Sequence, residues 1–123
     1  MILQNDIYDF APLPRWTMGR ITLLGDAAHA TTPNMGQGAC MAIESSVVLA
    51  HCLSQEGDLP RALRRYETER MSRTAWITDR SWKIGRIGQL ENPLACRVRD
   101  FLMRITPAGV MRKTLEKAAG FAL

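Results

Sequence analysis

Residues 19–40 read Gly19-Arg20-Ile21-Thr22-Leu23-Leu24-Gly25-Asp26-Ala27-Ala28-His29-Ala30-Thr31-Thr32-Pro33-Asn34-Met35-Gly36-Gln37-Gly38-Ala39-Cys40. Ile21 to Leu24 is a short apolar run of strand type. It is apolar on both faces, the pattern of a buried strand rather than an exposed edge. Gly25-Asp26 follows at once. Residues 25–38 are rich in Gly, Thr, Asn and Pro and read as a loop. From about Gly38 the pattern becomes helical, to about Ser54, with Ala39, Ile43, Val47 and Ala50 on one face and Leu53 near its far end.

This order has chemical content. An Asp directly after a buried strand stands at the strand's carboxyl end, where open α/β sheets place ligands. Its carboxylate can accept hydrogen bonds from sugar hydroxyls. The glycines let backbone approach a flat ligand closely. The helix that follows turns its unpaired N–H groups and its positive dipole end toward whatever lies in front, with Gly36, Gly38, Ala39 and Cys40 expected to supply such groups. Such a place suits a ligand that gathers negative charge. Gly-Asp after a strand and glycine turns before helices are also common structural features, so spacing alone leaves the ligand unnamed.

Upstream, Ile7-Tyr8-Asp9-Phe10 has the aromatic and β-branched character of a short strand, Pro12 and Pro14 break it, and Trp16 to Arg20 reads as a turn at Gly19. Downstream, Asp58 is a candidate N-cap with Pro60 in the first turn of a long helix, to about Gly85 or Gly88. Leu63, Tyr66, Ile77 and Ile84 form its stripe, interrupted by Arg70 and Arg73, for which Glu67, Glu69 or Asp79 are candidate partners. Asn92-Pro93 starts another helix with Leu94, Val98, Phe101, Leu102 and Ile105 in register. Thr106-Pro107 restarts the pattern, with Val110, Met111, Leu115 and Ala118 on one side as far as Gly120. The expected fold is α+β and mostly helical, with two short strands followed by about four helices. Two such strands make a poor sheet alone and look like part of a larger one. Residues 1–57 hold the strand, Gly-Asp loop and its helix, and 58–123 form a helical region in the same structural unit.

The chain has 123 residues, 46% hydrophobic and 23% charged, with a net charge of +4. That suits one modest core and is short for an enzyme holding both a dinucleotide and a separate substrate. No run approaches a membrane span, and no secretory signal is recognisable at the start. Cys40, Cys52 and Cys96 read as reduced, packed thiols of a cytoplasmic protein, and neither they nor His29 and His51 have metal spacing. His29 reads as a structural hydrogen-bonder rather than a base. Residues 1–59 carry two basic and six acidic side chains, while 60–123 carry fourteen and six. The basic half shows no nucleic-acid module, so nucleic acid is not an expected partner.

Residues 19–40 closely resemble the second flavin-binding motif of the class A FAD-dependent monooxygenases of the para-hydroxybenzoate hydroxylase fold. The wording is most similar to the urate hydroxylase, salicylate hydroxylase and zeaxanthin epoxidase branch. The resemblance reaches up to Tyr8-Asp9 and Trp16, and down through Leu63-Arg64-Arg65-Tyr66-Glu67 and Arg70 to Arg73. It implies the C-terminal part of the FAD-binding α/β fold of flavoprotein hydroxylases. It implies FAD as cofactor, NADH or NADPH as reductant, and oxygen transfer to a small aromatic or related organic substrate. By the same resemblance Asp26 bonds the ribityl or ribose hydroxyls of FAD, and Pro33 lies beside the reactive edge of the ring. Gly36, Gln37 and Gly38 line the isoalloxazine, and the N–H groups of Ala39 and Cys40 face its pyrimidine carbonyl. A helix N-terminus stabilises the anionic charge of reduced flavin there.

Three departures stand out. The dinucleotide fingerprint GxGxxG is absent, as are the family's middle Asp-Gly motif and its substrate-binding sheet. The family's usual Glu-Asp pair is here Glu44-Ser45, which removes any role of the Asp. The expected function is therefore a monooxygenase segment carrying the flavin-ring half of the FAD site, without turnover as an isolated chain. The rival reading is a non-catalytic helical oligomerisation or interaction module derived from such an enzyme. Helix faces bearing Trp76, Trp82, Ile84, Phe101 and Leu102 are expected to meet a missing domain or a neighbouring copy, so self-association is expected.

Overall fold

The computed structural model describes residues 6–121. Strands β1 (Thr17–Met18) and β2 (Ile21–Thr22) form an antiparallel hairpin, with Thr17 opposite Thr22 and Met18 opposite Ile21. Only Gly19 of its two loop residues has a positive φ, 62°, which is the II′-type turn whose twist suits a hairpin. The five helices are α1 (Asp26–His29), α2 (Gly38–Gln55), α3 (Leu59–Gly88), α4 (Pro93–Ile105) and α5 (Ala108–Ala119), with a 3₁₀ turn at Pro33–Met35.

The helix signals of the sequence are realised closely. The Asp58 carboxylate accepts from the Arg61 N–H at 3.0 Å, and Pro60 sits in the first turn of α3. The Asn92 side chain accepts from the Leu94 and Ala95 N–H groups and starts α4. Both satisfy donors that a helix start leaves without partners. The loop 25–38 is more ordered than its composition suggests, with one helical turn and one 3₁₀ turn inside it.

Three expectations fail. Residues 7–10 form no strand, and Ile7 and Tyr8 are exposed, because no neighbouring strand pairs with them among the described residues. The run Ile21–Leu24 is a strand only at Ile21–Thr22 and is not buried, since a hairpin this small has nothing on its outer side. The buried face of α2 is Met41, Ser45, Val48 and Cys52, not Ala39, Ile43, Val47 and Ala50. Ile43 is 65% exposed. Helical spacing fits either face, and packing against α3 selects the one carrying a hydroxyl and a thiol.

α2 packs along α3, and the core lies between them and the hairpin: Trp16, Ala28, Val48, Cys52, Ala62 and Tyr66, with Leu13, Leu23, Leu49, Met71 and Phe121 against it. The Trp16 ring tilts on His29 at 5.6 Å and on Tyr66 at 5.8 Å, spacings that favour aromatic pairs. The Tyr66 hydroxyl donates to the Leu23 carbonyl at 3.2 Å, and burial pushes its pKa up. Cys52 is buried, and its thiol pKa is raised by that burial, whereas Cys40 is exposed rather than packed. Ile84 lies off the interior stripe of α3, which below Tyr66 is mainly polar: Arg70, Thr74, Thr78 and Ser81 with Ile77 and Gly85.

Candidate functional site

The site is built on the loop from Gly25 to Cys40. Gly25 adopts φ 62° and ψ −141°, a conformation essentially confined to glycine. It turns the chain out of the hairpin so that Asp26 begins α1 with an exposed carboxylate. The Ala28 and His29 N–H groups donate back to the Gly25 carbonyl at 2.9 and 3.0 Å. The loop closes on the start of α2: a Cβ on Gly25 would stand 3.7 Å from Ala42 Cβ, and one on Gly38 would stand 3.6 Å from Thr31 Cγ2. Pro33 opens the 3₁₀ turn and is exposed. Gly36 ends that turn at φ 62° with open space where a Cβ would be, and its N–H, expected to be free, donates instead to the Pro33 carbonyl at 2.9 Å because the 3₁₀ turn closes on it.

Gln37 precedes α2, and no side chain caps the helix. The first intrahelical bond runs from the Met41 N–H to the Gln37 carbonyl at 2.8 Å. The N–H groups of Gly38, Ala39 and Cys40 therefore have no protein partner among the described residues, and Ala39 and Cys40 are exposed. All seven residues singled out in the sequence thus lie on one closed loop and the helix start that follows it. Its accessible donors are backbone amides, and its one carboxylate stands at the other end of the loop. That donor set fits the polar edge of a flavin better than it fits a cation.

Sequence reasoning missed what holds this loop. Ser81 of α3 donates from Oγ to the Thr32 carbonyl at 2.6 Å and shares a 2.9 Å hydroxyl contact with Thr32 Oγ1. Asn34 Nδ2 donates to the Ser81 carbonyl at 3.2 Å and to Thr32 Oγ1 at 2.9 Å. Gly85 is bare where Asn34 crosses α3, because a Cβ there would collide with the Asn34 amide. Pro33 is thereby fixed against α3. The only sequence signal was a glycine within a helix, which marks close approach as readily as a helix end.

The other support is a buried ionic cluster. Arg70, 1% exposed, and Arg73 converge on one carboxylate, Glu44. Arg70 Nη2 donates to Glu44 Oε2 at 2.9 Å, while Arg73 Nε and Nη2 donate to Oε2 and Oε1 at 2.8 and 2.7 Å. The expected partners Glu67, Glu69 and Asp79 are not used. Glu67 instead accepts the Trp16 and Thr17 N–H groups at 3.1 and 2.6 Å and anchors the hairpin. Burial alone would raise the Glu44 pKa, but the bonds from Arg73 and Arg70 outweigh it and hold the carboxyl below the usual range. Arg73 also donates to the Lys117 and Ala118 carbonyls at 3.0 and 2.9 Å, tying down the end of α5.

Ser45 keeps a role as a hydroxyl. Arg70 Nε donates to Ser45 Oγ at 3.2 Å, and His29 Nε2 lies 3.1 Å from the same oxygen. His29 is buried in a structural position, and its Nδ1 has no partner. Burial and the nearby Arg70 charge lower its pKa below 6.5 despite the opposing pull of the Asp26 and Glu44 carboxylates. The cluster sits directly behind the first turns of α2.

Hairpin, Gly-Asp turn, glycine loop and uncapped helix start are all docked on one long helix, and together they form a loop-and-helix-start site of the kind a flavin-binding domain presents. The family described as FAD binding domain matches residues 12–81, and the chain belongs to it. It is 54% identical over 104 residues to an aurachin C monooxygenase/isomerase of Stigmatella aurantiaca, covering 85% of this chain and 27% of that protein. It is 40% identical over 120 residues to a 2-heptyl-3-hydroxy-4(1H)-quinolone synthase of Pseudomonas aeruginosa, covering 94% of this chain and 30% of that one. The crystal structure of Klebsiella pneumoniae HpxO complexed with FAD and uric acid superimposes with a TM-score of 0.80 at 33% identity, over 91% of this chain and 29% of that chain. The chain thus spans less than a third of the length of the relatives it matches.

Proposed function

We propose that this chain supplies the flavin-ring half of the FAD site of a monooxygenase. One observation carries this reading: three unpartnered amides at the start of α2 face out of a loop that begins with a free carboxylate. Asp26 accepts hydrogen bonds from the ribityl or ribose hydroxyls. Gly36, Gln37 and Gly38 lie along the isoalloxazine, Pro33 stands at its reactive edge, and the Ala39 and Cys40 amides bond the pyrimidine carbonyl. FAD supplies the oxygen chemistry, and the protein orients the ring and biases its charge. The reductant is NADH or NADPH, used by a longer enzyme of which this chain is one part, in the cytoplasm.

The substrate is a small aromatic or related ring compound. The name of the Pseudomonas aeruginosa relative points toward a quinolone ring carrying a heptyl chain. Residues 1–57 and 58–123 act as one unit, the first presenting the loop and the second bracing it. The bare hairpin edge and the outer α2 face with Ile43 and Val47 support self-association of the chain. Light scattering on a dilution series reads this, and a constant 13.8 kDa species would refute it.

The test of the site is FAD titration followed by flavin fluorescence. Asp26→Ala removes charge-assisted bonds of about 1.5–3 kcal/mol, which is about a ten- to hundredfold loss of affinity. Equal affinity in the two proteins would refute the assignment. The isolated chain is expected to consume no NADH or NADPH when an aromatic substrate is added. Substrate-dependent consumption would show that the rest of the enzyme is dispensable.

A further inference from the structure

The strongest feature left unused by the flavin reading is the outer face of α4 and α5. No residue of α4 is buried, although the helix is half apolar. Leu94, Val98, Phe101, Leu102 and Ile105 fall within one stripe at helical spacing, and each is more than half exposed. The stripe borders an open apolar groove of about 880 Å³ between α4 and the end of α3, where Ile87, Leu90 and Met103 extend the same surface.

Charge decides what this face fits. Residues 93–119 hold six basic and two acidic side chains. Arg99 pairs with Asp100 and Arg112 with Glu116. Arg97, Arg104 and Lys113 have no carboxylate partner among the described residues. Arg97 and Arg104 lie about two turns apart along one flank of the apolar stripe. A second copy of this face would set like charge against like charge. Nucleic acid would have no use for five exposed aliphatic and aromatic side chains.

We propose that α4 and α5 form an in-plane anchor for an anionic phospholipid surface. α4 has thirteen residues and is about 20 Å long, too short to cross a bilayer core of about 30 Å, so it lies in the interface. The stripe enters the acyl boundary, and Arg97 and Arg104 extend their stems along it to reach headgroup phosphates. The unpaired cations add preference for negative lipid. This anchor is independent of FAD, so its failure and that of the flavin reading are separately readable.

The test is flotation of the full 123-residue chain, without FAD, with phosphatidylcholine vesicles and with vesicles containing about one-third phosphatidylglycerol. Binding to the anionic vesicles is expected to be at least about tenfold stronger and to weaken with salt. Phe101→Asp with Leu102→Asp removes it, and Arg97→Ser with Arg104→Ser removes the preference for negative lipid. Tyr8→Asp, an exposed aromatic position outside α4 and α5, leaves it intact. All these positions are exposed, and circular dichroism verifies that each variant is folded. Equal binding to the two vesicle types, or equal loss in Tyr8→Asp, overturns the proposal. So does a dimer, seen by light scattering, that the Phe101 and Leu102 substitutions dissociate, because the face then belongs to a second copy.

Discussion

Replacing Glu44 by Gln keeps the shape of the side chain and removes its charge. The carboxylate accepts three bonds of 2.7–2.9 Å from two guanidinium groups. Arg70 is 1% exposed and cannot turn to water, whereas Arg73 is 19% exposed and can in part. Removing one partner of a buried pair costs about 3–5 kcal/mol, because a charge is left uncompensated. The partial access of Arg73 places Glu44→Gln near the lower end, about 3 kcal/mol. For a domain of this size that is a fall of about 10–15 °C in Tm. Urea unfolding followed by tryptophan fluorescence measures it directly. The pH dependence is a second readout. The Glu44 pKa is lowered in the folded protein relative to 4.5, so the unfolded chain binds more protons below that pH. The Glu44 contribution is complete above about pH 4.5 and is lost as pH falls through the folded value. The gap between wild type and variant should narrow over that interval. A loss under about 1 kcal/mol at pH 7, or a gap that does not change with acidification, would refute the role given to the cluster.

Other outcomes follow from single contacts. Gly85→Ala forces the Asn34 amide off α3 and should cost about 1–2 kcal/mol in urea unfolding; in an Asn34→Ala background the same change should instead stabilise, through helix propensity, by up to about 1 kcal/mol. A cost of the same sign in both backgrounds contradicts the contact. Glu67→Ala leaves the Trp16 and Thr17 N–H groups without their acceptor and should destabilise by about 1–3 kcal/mol, with faster amide exchange in the hairpin; unaltered exchange at Thr17 counts against it. His29 has its pKa lowered by burial and by Arg70, so wild type should lose stability as pH falls below about 6.5. In His29→Leu that part of the slope should vanish, and an unchanged slope rules out His29 as its source.

The elements that could be read from sequence were those whose signals are local. Asp58 and Asn92 each meet their own first turn, and the long α3 follows from unbroken spacing between them. The Gly-Asp loop was legible because three glycines and a proline dictate its backbone. What was not legible depends on partners distant in the chain. Arg70 looked like an interruption of an apolar stripe because its acceptors, Glu44 and Ser45, are on another helix. Ser81 and Asn34 have no pattern of their own and gain meaning only where the loop crosses α3. The buried face of α2 was misassigned because Ile43 and Val47 are more apolar than Ser45 and Cys52, yet Ser45 meets Arg70 of α3 and Cys52 enters the core beside Ala62 and Tyr66.

The long helix α3 also fixes distances. Glu67 holds the hairpin and Ser81 holds the loop that carries Pro33, fourteen residues and about 21 Å further along one rigid rod. Between them Arg70 and Arg73 hold α2 and α5. Adding or deleting one residue between 74 and 80 would shift the far end by about 1.5 Å and rotate it by about 100°. Ser81 and Gly85 would then point away from Thr32 and Asn34 while every residue type was preserved. The length of this span is therefore as constrained as the contacts it spaces, and an insertion there should disrupt the loop from Gly25 to Cys40 more thoroughly than most substitutions within the loop itself.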